Sequence, residues 1–202
     1  QGMLIFDNFG KYLKLISSIK SKDFQVLNKN VVFVRDQNLV SYSIDLIDEN
    51  TIVAAGDDYI NFIDFDEVDS SVRLSKQYKT KAKYSNYLYF NQVIKYQDLY
   101  LVASNEGLYK IEHDSLQKVS FDHYENDFEL KKVIPSGGGL FLLTNGDGIY
   151  YIKKEGNEFR VVQDFNLIRK RGPQTVLSAF KDSKDNIWIA DFNGLWILNK
   201  QH

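Results

Sequence analysis

The stretch Ile187-Trp188-Ile189-Ala190-Asp191-Phe192-Asn193-Gly194-Leu195-Trp196-Ile197-Leu198-Asn199 reads as an apolar strand, a polar turn and a second apolar strand. The same unit occurs three more times upstream. The copies are Ile52-Val53-Ala54-Ala55-Gly56-Asp57-Asp58-Tyr59-Ile60-Asn61-Phe62-Ile63-Asp64, Tyr100-Leu101-Val102-Ala103-Ser104-Asn105-Glu106-Gly107-Leu108-Tyr109-Lys110-Ile111-Glu112 and Phe141-Leu142-Leu143-Thr144-Asn145-Gly146-Asp147-Gly148-Ile149-Tyr150-Tyr151-Ile152-Lys153. Gly107, Gly148 and Gly194 share one turn position. A short hairpin between right-twisted strands needs positive φ there, which Gly adopts without a Cβ clash. Tyr59 occupies that position in the first copy, so its turn is expected to be of another type.

From Tyr59 through Gly107 and Gly148 to Gly194 the steps are 48, 41 and 46 residues. Four-stranded propeller blades recur at roughly 40 to 50 residues. Each unit extends both ways. Ser43 to Ile47, Asn91 to Ile94, Leu130 to Ile134 and Val176 to Phe180 are predicted innermost strands; Val72 to Gln77, Leu116 to Phe121 and Phe159 to Asp164 are predicted outermost strands. No helical period separates the units, which argues against a parallel βαβ sheet. The expected fold is an all-β propeller of about five four-stranded blades, or an arc of a larger one.

The first 40 residues are also expected to form strands, at Leu4-Ile5-Phe6, Lys11 to Ile16, Phe24 to Leu27, Val31 to Val34 and Leu39 to Tyr42. Gln1-Gly2 before Met3 reads as the remnant of a cleavable tag. The rest, 3 to 202, is expected to be one domain with units near 3–42, 43–86, 87–129, 130–175 and 176–202. The last unit has no outermost strand, and an N-terminal strand near Leu4 to Ile16 is the expected substitute.

Composition narrows the function classes. Hydrophobic residues make up 44% and aromatics 14%, which is globular usage. A formal net charge of -2 provides no broad positive field for nucleic acid or anionic membrane. The absence of Cys excludes disulfides, thiolate catalysis and Cys-based metal sites. Apolar runs such as Val31 to Val34 and Leu140 to Leu143 are far shorter than the roughly 20 residues that span a bilayer, so no transmembrane segment is expected. No signal-peptide pattern opens the sequence.

Val176-Leu177-Ser178-Ala179-Phe180-Lys181-Asp182, Asn186-Ile187-Trp188-Ile189-Ala190 and Gly194-Leu195-Trp196-Ile197 together resemble the two-component regulator propeller repeat. The units at 91–121 and 130–164 resemble it without the Trp, and the unit at 43–77 also lacks the turn Gly. Asp7-Asn8-Phe9-Gly10-Lys11-Tyr12 is similar to the Asp-x-x-Gly-x-Tyr turn of other bacterial propellers. The resemblance implies a periplasmic or extracellular sensor domain that binds oligosaccharides and signals through a membrane to a histidine kinase. No kinase, receiver or DNA-binding signature accompanies it in this sequence.

The remaining motifs have plain structural readings. His113, His123 and His202 have no HxxxH or HxH spacing, so no catalytic or metal site is expected. Ser136-Gly137-Gly138-Gly139 lacks the Lys-Ser/Thr and helix of a phosphate loop and reads as a hairpin turn. The Asp182 to Asp185 turn does not match the twelve-residue calcium loop. Trp188 and Trp196 could be sugar platforms, but within strands packed on both faces they are expected to be mostly buried.

In an up-and-down blade, the turn between the second and third strands and the linker to the next blade share one face. That face is expected to gather Lys76, Lys79, Lys81 and Lys83 with Tyr78 and Tyr84, then Asp122, Glu125, Asp127 and Glu129, then Arg169, Lys170 and Arg171. Charge runs of this kind are most often simply solvated loops. As ligand contacts we single out Tyr84, Lys81, Lys83, Arg169 and Arg171, since Arg presents a planar donor array and Tyr an amphipathic surface. The expected partner is a carbohydrate or peptide, with no cofactor. The alternative is a structural or protein-interaction propeller, including a homodimer. An enzyme ranks third, because no His, Arg and carboxylate set converges.

Overall fold

The computed structural model describes residues 3–6, 13–16, 41–57, 59–66, 71–79, 88–121, 128–165 and 175–198. All regular elements among them are strands: β1 (Met3–Phe6), β2 (Leu13–Ile16), β3 (Ser41–Leu46), β4 (Thr51–Gly56), β5 (Tyr59–Asp66), β6 (Ser71–Lys79), β7 (Phe90–Tyr96), β8 (Leu99–Ser104), β9 (Gly107–Glu112), β10 (Ser115–Lys118), β11 (Leu130–Ser136), β12 (Gly139–Thr144), β13 (Ile149–Glu155), β14 (Glu158–Asp164), β15 (Ser178–Lys181), β16 (Ile187–Asp191) and β17 (Gly194–Leu198). The chain divides into two compact units, Gln1–Tyr89 and Phe90–His202.

The first unit holds the antiparallel pair β1-β2 and the four-stranded sheet β3-β4-β5-β6. The second holds the four-stranded sheets β7-β8-β9-β10 and β11-β12-β13-β14 and the three-stranded sheet β15-β16-β17. Among the described residues every pairing between strands is between chain neighbours and antiparallel, as hairpin connections dictate. The turn glycines have φ of 105° at Gly107, 98° at Gly148 and 144° at Gly194, the region that favours Gly.

β1 pairs with β2 as a two-stranded sheet. Three sequence expectations are corrected. Ser41 and Tyr42 belong to the same strand as Ser43, because β3 runs from Ser41 to Leu46, while Leu39 and Val40 lie outside the described residues. The third repeat copy is shifted by one residue: Ala103 pairs with Leu108 and Ala190 with Leu195, whereas Leu143 pairs with Ile149. One additional residue in the Thr144–Gly148 turn causes the slip, so Phe141, not Leu142, is equivalent to Leu101 and Trp188. Lys76, Tyr78 and Lys79 belong to β6 rather than to a linker. Tyr78 is buried edge-on against Phe62, and Lys79 lies over the Tyr59 ring. The expected strands at 24–27 and 31–34 lie outside the described residues.

In the second unit the core is built between successive sheets. Leu101, Ala103 and Leu108 of one sheet pack on Val133, Leu140, Leu142, Tyr150 and Ile152 of the next. The other face of that sheet gives Ile134, Leu143 and Ile149 to Val176, Ile187 and Ile189 of the three-stranded sheet. Because strand residues alternate between faces, β12 buries Leu140 and Leu142 on one side and Leu143 on the other. Each fully buried aliphatic side chain contributes about 1.5–3 kcal/mol.

Trp188 and Trp196 are both mostly buried, as their strand position suggested. Trp196 packs against the Ile187 and Ile189 cluster, whereas Trp188 pairs with Phe180 on the opposite face of the same sheet. Alternation puts the two indoles on different sides of the sheet, Trp196 toward the preceding sheet and Trp188 away from it.

Candidate functional site

Strand register determines where the linkers leave each sheet. The outermost strands end beside the central turns, with Lys79 opposite Tyr59, Lys118 opposite Tyr109 and Asp164 opposite Tyr150. The first strands begin at the same end, with Ser41 opposite Gly56, Phe90 opposite Ser104 and Leu130 opposite Thr144. Within each four-stranded sheet, central turn, incoming chain and outgoing chain therefore share one end, as loop-borne binding sites on a rigid scaffold require.

Polar side chains at that end build the turns. Ser104 Oγ is buried, donates to the Gly107 carbonyl at 2.9 Å and accepts from the Glu106 N–H at 3.0 Å. Thr144 repeats this, donating to the Gly148 carbonyl at 2.7 Å and accepting from the Asp147 N–H at 3.1 Å. Asp191 Oδ1 accepts from the N–H groups of Asn193 and Gly194 at 2.7 and 2.9 Å. The side-chain amide of Asn145 donates to Glu129 at 2.6 Å, and Lys131 forms an ion pair with the same carboxylate. Glu129 is thus tied to its own sheet.

The expected contact residues Lys81, Lys83, Tyr84, Arg169 and Arg171 lie outside the described residues, as do Asp122, Glu125, Asp127, His123 and His202. Asp57, Asn105, Asp147 and Asp191 lie at or beside the central turns of their own sheets.

The opposite end carries the tight turns. At Asp182–Asn186 the Asp182 carboxylate accepts from the Trp188 indole N–H, the Asn186 side chain and the backbone N–H groups of Lys184 and Asn186, each at 2.9 Å. The indole donor, followed by the Asn186 amide, holds this carboxyl well below the usual range. Trp188 therefore has a structural partner for its polar edge. At the neighbouring sheets, Tyr96 donates to the Gly138 carbonyl at 3.2 Å, and burial pushes its phenol above the ordinary value.

A groove of about 300 Å³ lies between the outer strands of the two four-stranded sheets of the second unit. Its floor is Val119 and Phe159, both buried, and its rim is Lys110, Gln117, Lys118, Ser120, Asn157 and Glu158. Lys110 pairs with Glu112 at 2.6 Å and holds that carboxyl below its usual range. The sequence reading missed this place. Its only trace there is the cross-strand pair Lys110–Gln117 on the outer hairpin, which is indistinguishable from an ordinary solvated edge.

No protein-family model matches the sequence, and no curated protein matches it. Solved structures do. The WD40 β-propeller domain of Doa1 matches with a TM-score of 0.63 at 12% identity, over 98% of this chain and 63% of that one. The extracellular domain of the putative hybrid two-component system BT4673 from B. thetaiotaomicron matches with a TM-score of 0.62 at 15% identity, over 100% of this chain and 26% of that one. A luciferin-regenerating enzyme matches with a TM-score of 0.61 at 12% identity, over 100% of this chain and 69% of that one. At such identities the shared property is the fold. The chain has the β-propeller fold, and its span is about a quarter of the sensor-domain chain and under two thirds of the Doa1 chain. Among the described residues no helix is long and apolar enough to cross a membrane.

Proposed function

We propose that this chain is the recognition part of a two-component-type sensor, held in the periplasm or outside the cell, which binds a carbohydrate or a peptide without transforming it. The observation that carries this reading is the match along the whole chain to the extracellular domain of a hybrid two-component system. Residues 3–202 are taken as one domain. The ligand is assigned to the end where the linkers leave the sheets, with Lys81, Lys83, Tyr84, Arg169 and Arg171 as contacts. An enzyme also shares the fold, so the scaffold alone does not exclude catalysis. A protein-interaction propeller is the second reading, favoured by the apolar face of the last sheet.

The test is a thermal-shift screen of the full chain against oligosaccharides and short peptides. A ligand at about 100 times its Kd adds about 2.7 kcal/mol to the folded state, a readily measured shift. Arg169→Ala with Arg171→Ala should weaken the hit about tenfold, equivalent to about 1.4 kcal/mol, and Lys118→Ala with Asn157→Ala should leave it unchanged. The reverse result moves the ligand to the groove. A screen in which neither class binds rejects the sensor reading.

A further inference from the structure

Asn-Gly occurs twice in the sequence, at Asn145-Gly146 and Asn193-Gly194, and both copies fall in central turns of the second unit. This dipeptide carries a chemistry of its own. A Gly nitrogen has no neighbouring Cβ to screen it, so it can reach the side-chain carbonyl carbon of the preceding Asn and close a succinimide ring. Asn counts among the thermolabile residues for such reasons. How readily the ring closes depends on what holds the reacting groups.

The two turns hold them differently. Asn145 is tied to the start of β11: its main-chain N–H donates to the Glu129 carbonyl at 2.8 Å, and its side-chain amide donates to the Glu129 carboxylate at 2.6 Å. Lys131 forms an ion pair with that carboxylate and keeps it in place. In the other turn Asp191 Oδ1 accepts the main-chain N–H groups of Asn193 and Gly194 at 2.7 and 2.9 Å. Asn193 is exposed, and its side-chain amide makes no hydrogen bond among the described residues. Crowding does not separate the two sites, because a Cβ at either Gly146 or Gly194 would meet nothing within 4 Å.

The two carboxylates therefore act on opposite partners of the reaction. Glu129 holds the electrophile: its bond stops the Asn145 side chain from turning toward Gly146, and donation to an anion leaves the amide carbon less open to attack. Asp191 touches the nucleophile, where it polarises the Gly194 N–H and leaves the Asn193 side chain free to turn. We propose that Asn193 is a site of spontaneous modification, passing to aspartate and isoaspartate in the folded protein, and that Glu129 protects Asn145 from the same reaction.

The atoms balance with water as the only co-reactant. The Gly194 nitrogen gives up its proton and attacks Cγ of Asn193. As that C–N bond forms, the Cγ–Nδ2 bond breaks, and Nδ2 leaves as ammonia, carrying a proton returned through solvent. Water then adds to one ring carbonyl. Opening at Cγ gives aspartate, whereas opening at the main-chain carbon gives isoaspartate, whose chain runs through Cβ and Cγ. Either product adds a negative charge beside Asp191. Isoaspartate also lengthens the link between Asp191 and Gly194, which are partners across β16 and β17.

The experiment ages the full chain in mildly alkaline buffer and follows both sites by peptide mass mapping, reading the mass difference between amide and carboxyl. In the folded chain Asn193 should convert about tenfold faster than Asn145, the factor that one charge-assisted hydrogen bond provides. In urea the two sites should convert at similar rates, since neither carboxylate is then in place. Glu129→Ala should speed conversion at Asn145 and leave Asn193 unchanged, with β11–β14 amides still protected from hydrogen exchange. Asn145 converting as fast as Asn193 in the folded chain overturns the proposal. So does an Asn193 that stays intact while the urea-unfolded chain converts, and an unchanged Asn145 rate in folded Glu129→Ala overturns the protective role.

Discussion

Gln92 and Val133 join two sheets through one hydrogen bond: the Gln92 side-chain oxygen accepts the backbone N–H of Val133 at 2.8 Å, with both groups buried. Its neighbour Asn91 donates from its side chain to the Leu130 carbonyl at 2.9 Å. A register shift between Phe90 and Gln92 leaves Asn91 out of the strand ladder while Gln92 stays opposite Ala103, and the same irregularity recurs between Ser41 and Ser43 and between Leu130 and Lys132. A bulge re-aims side chains, and here it turns two amides toward the next sheet.

Gln92→Leu keeps the volume but leaves the Val133 N–H without this acceptor. A buried unpaired donor costs about 1–3 kcal/mol, so the urea midpoint should fall accordingly. Gln92→Glu retains an acceptor oxygen and should lose less at neutral pH. Equal loss in the two variants would show that the hydrogen bond is not what the position supplies.

Gly139 opens β12 against the neighbouring strand. A Cβ there would collide with the Ile152 carbonyl oxygen and come within 2.7 Å of the Tyr151 ring, whose hydroxyl donates to the Ser136 and Gly137 carbonyls. Gly139→Ala should therefore destabilise by about 1–3 kcal/mol, in the range of overpacked sites. Gly138 has open space around its Cβ direction but a φ of 79°, so Gly138→Ala tests backbone strain alone. Denaturation of the two variants should show the larger loss at Gly139. The opposite order would mean that strain outweighs crowding in this turn.

The repeat was legible because its chemistry is local. Gly107, Gly148 and Gly194 occupy turns that need positive φ, and strand alternation follows from residue type along a few positions. The shift of Phe141 was not legible, since an additional turn residue moves the upstream strand without altering the downstream one. Ile187-Trp188-Ile189 reads as a strand with large side chains on both faces, but the strand itself does not say that Ile187 and Ile189 meet the preceding sheet while Trp188 stacks on Phe180. The groove of Lys110, Lys118 and Asn157 depends on two outer hairpins lying side by side, which no local pattern encodes.

Trp196 buries its indole N–H without an acceptor among the described residues. Trp196→Phe removes that donor, relieving about 1–3 kcal/mol, and gives up roughly 1 kcal/mol of apolar burial. Its thermal midpoint should equal or exceed that of the parent. Trp188→Phe, which deprives Asp182 of its indole donor, should lower the midpoint. A large loss at Trp196→Phe would show that its N–H is satisfied in solution.

Asp182 supplies a pH test of the same turn. Its folded carboxyl is held below the usual range, first by the Trp188 N–H and next by Asn186, so folding favours the ionised form. For a depressed carboxylate the stabilisation is complete above the unfolded value of about 3.9 and is lost progressively as pH falls toward the folded value. Asp182→Asn removes the charge at every pH. The parent should thus exceed the variant in urea midpoint by a constant margin from about pH 7 to pH 5, and the margin should shrink below about pH 4. Other carboxylates titrate alike in both proteins and cancel in the difference. A margin that stays the same at pH 3 would mean that Asp182 acts through shape and neutral hydrogen bonding, and that the indole donor does not favour its ionised form.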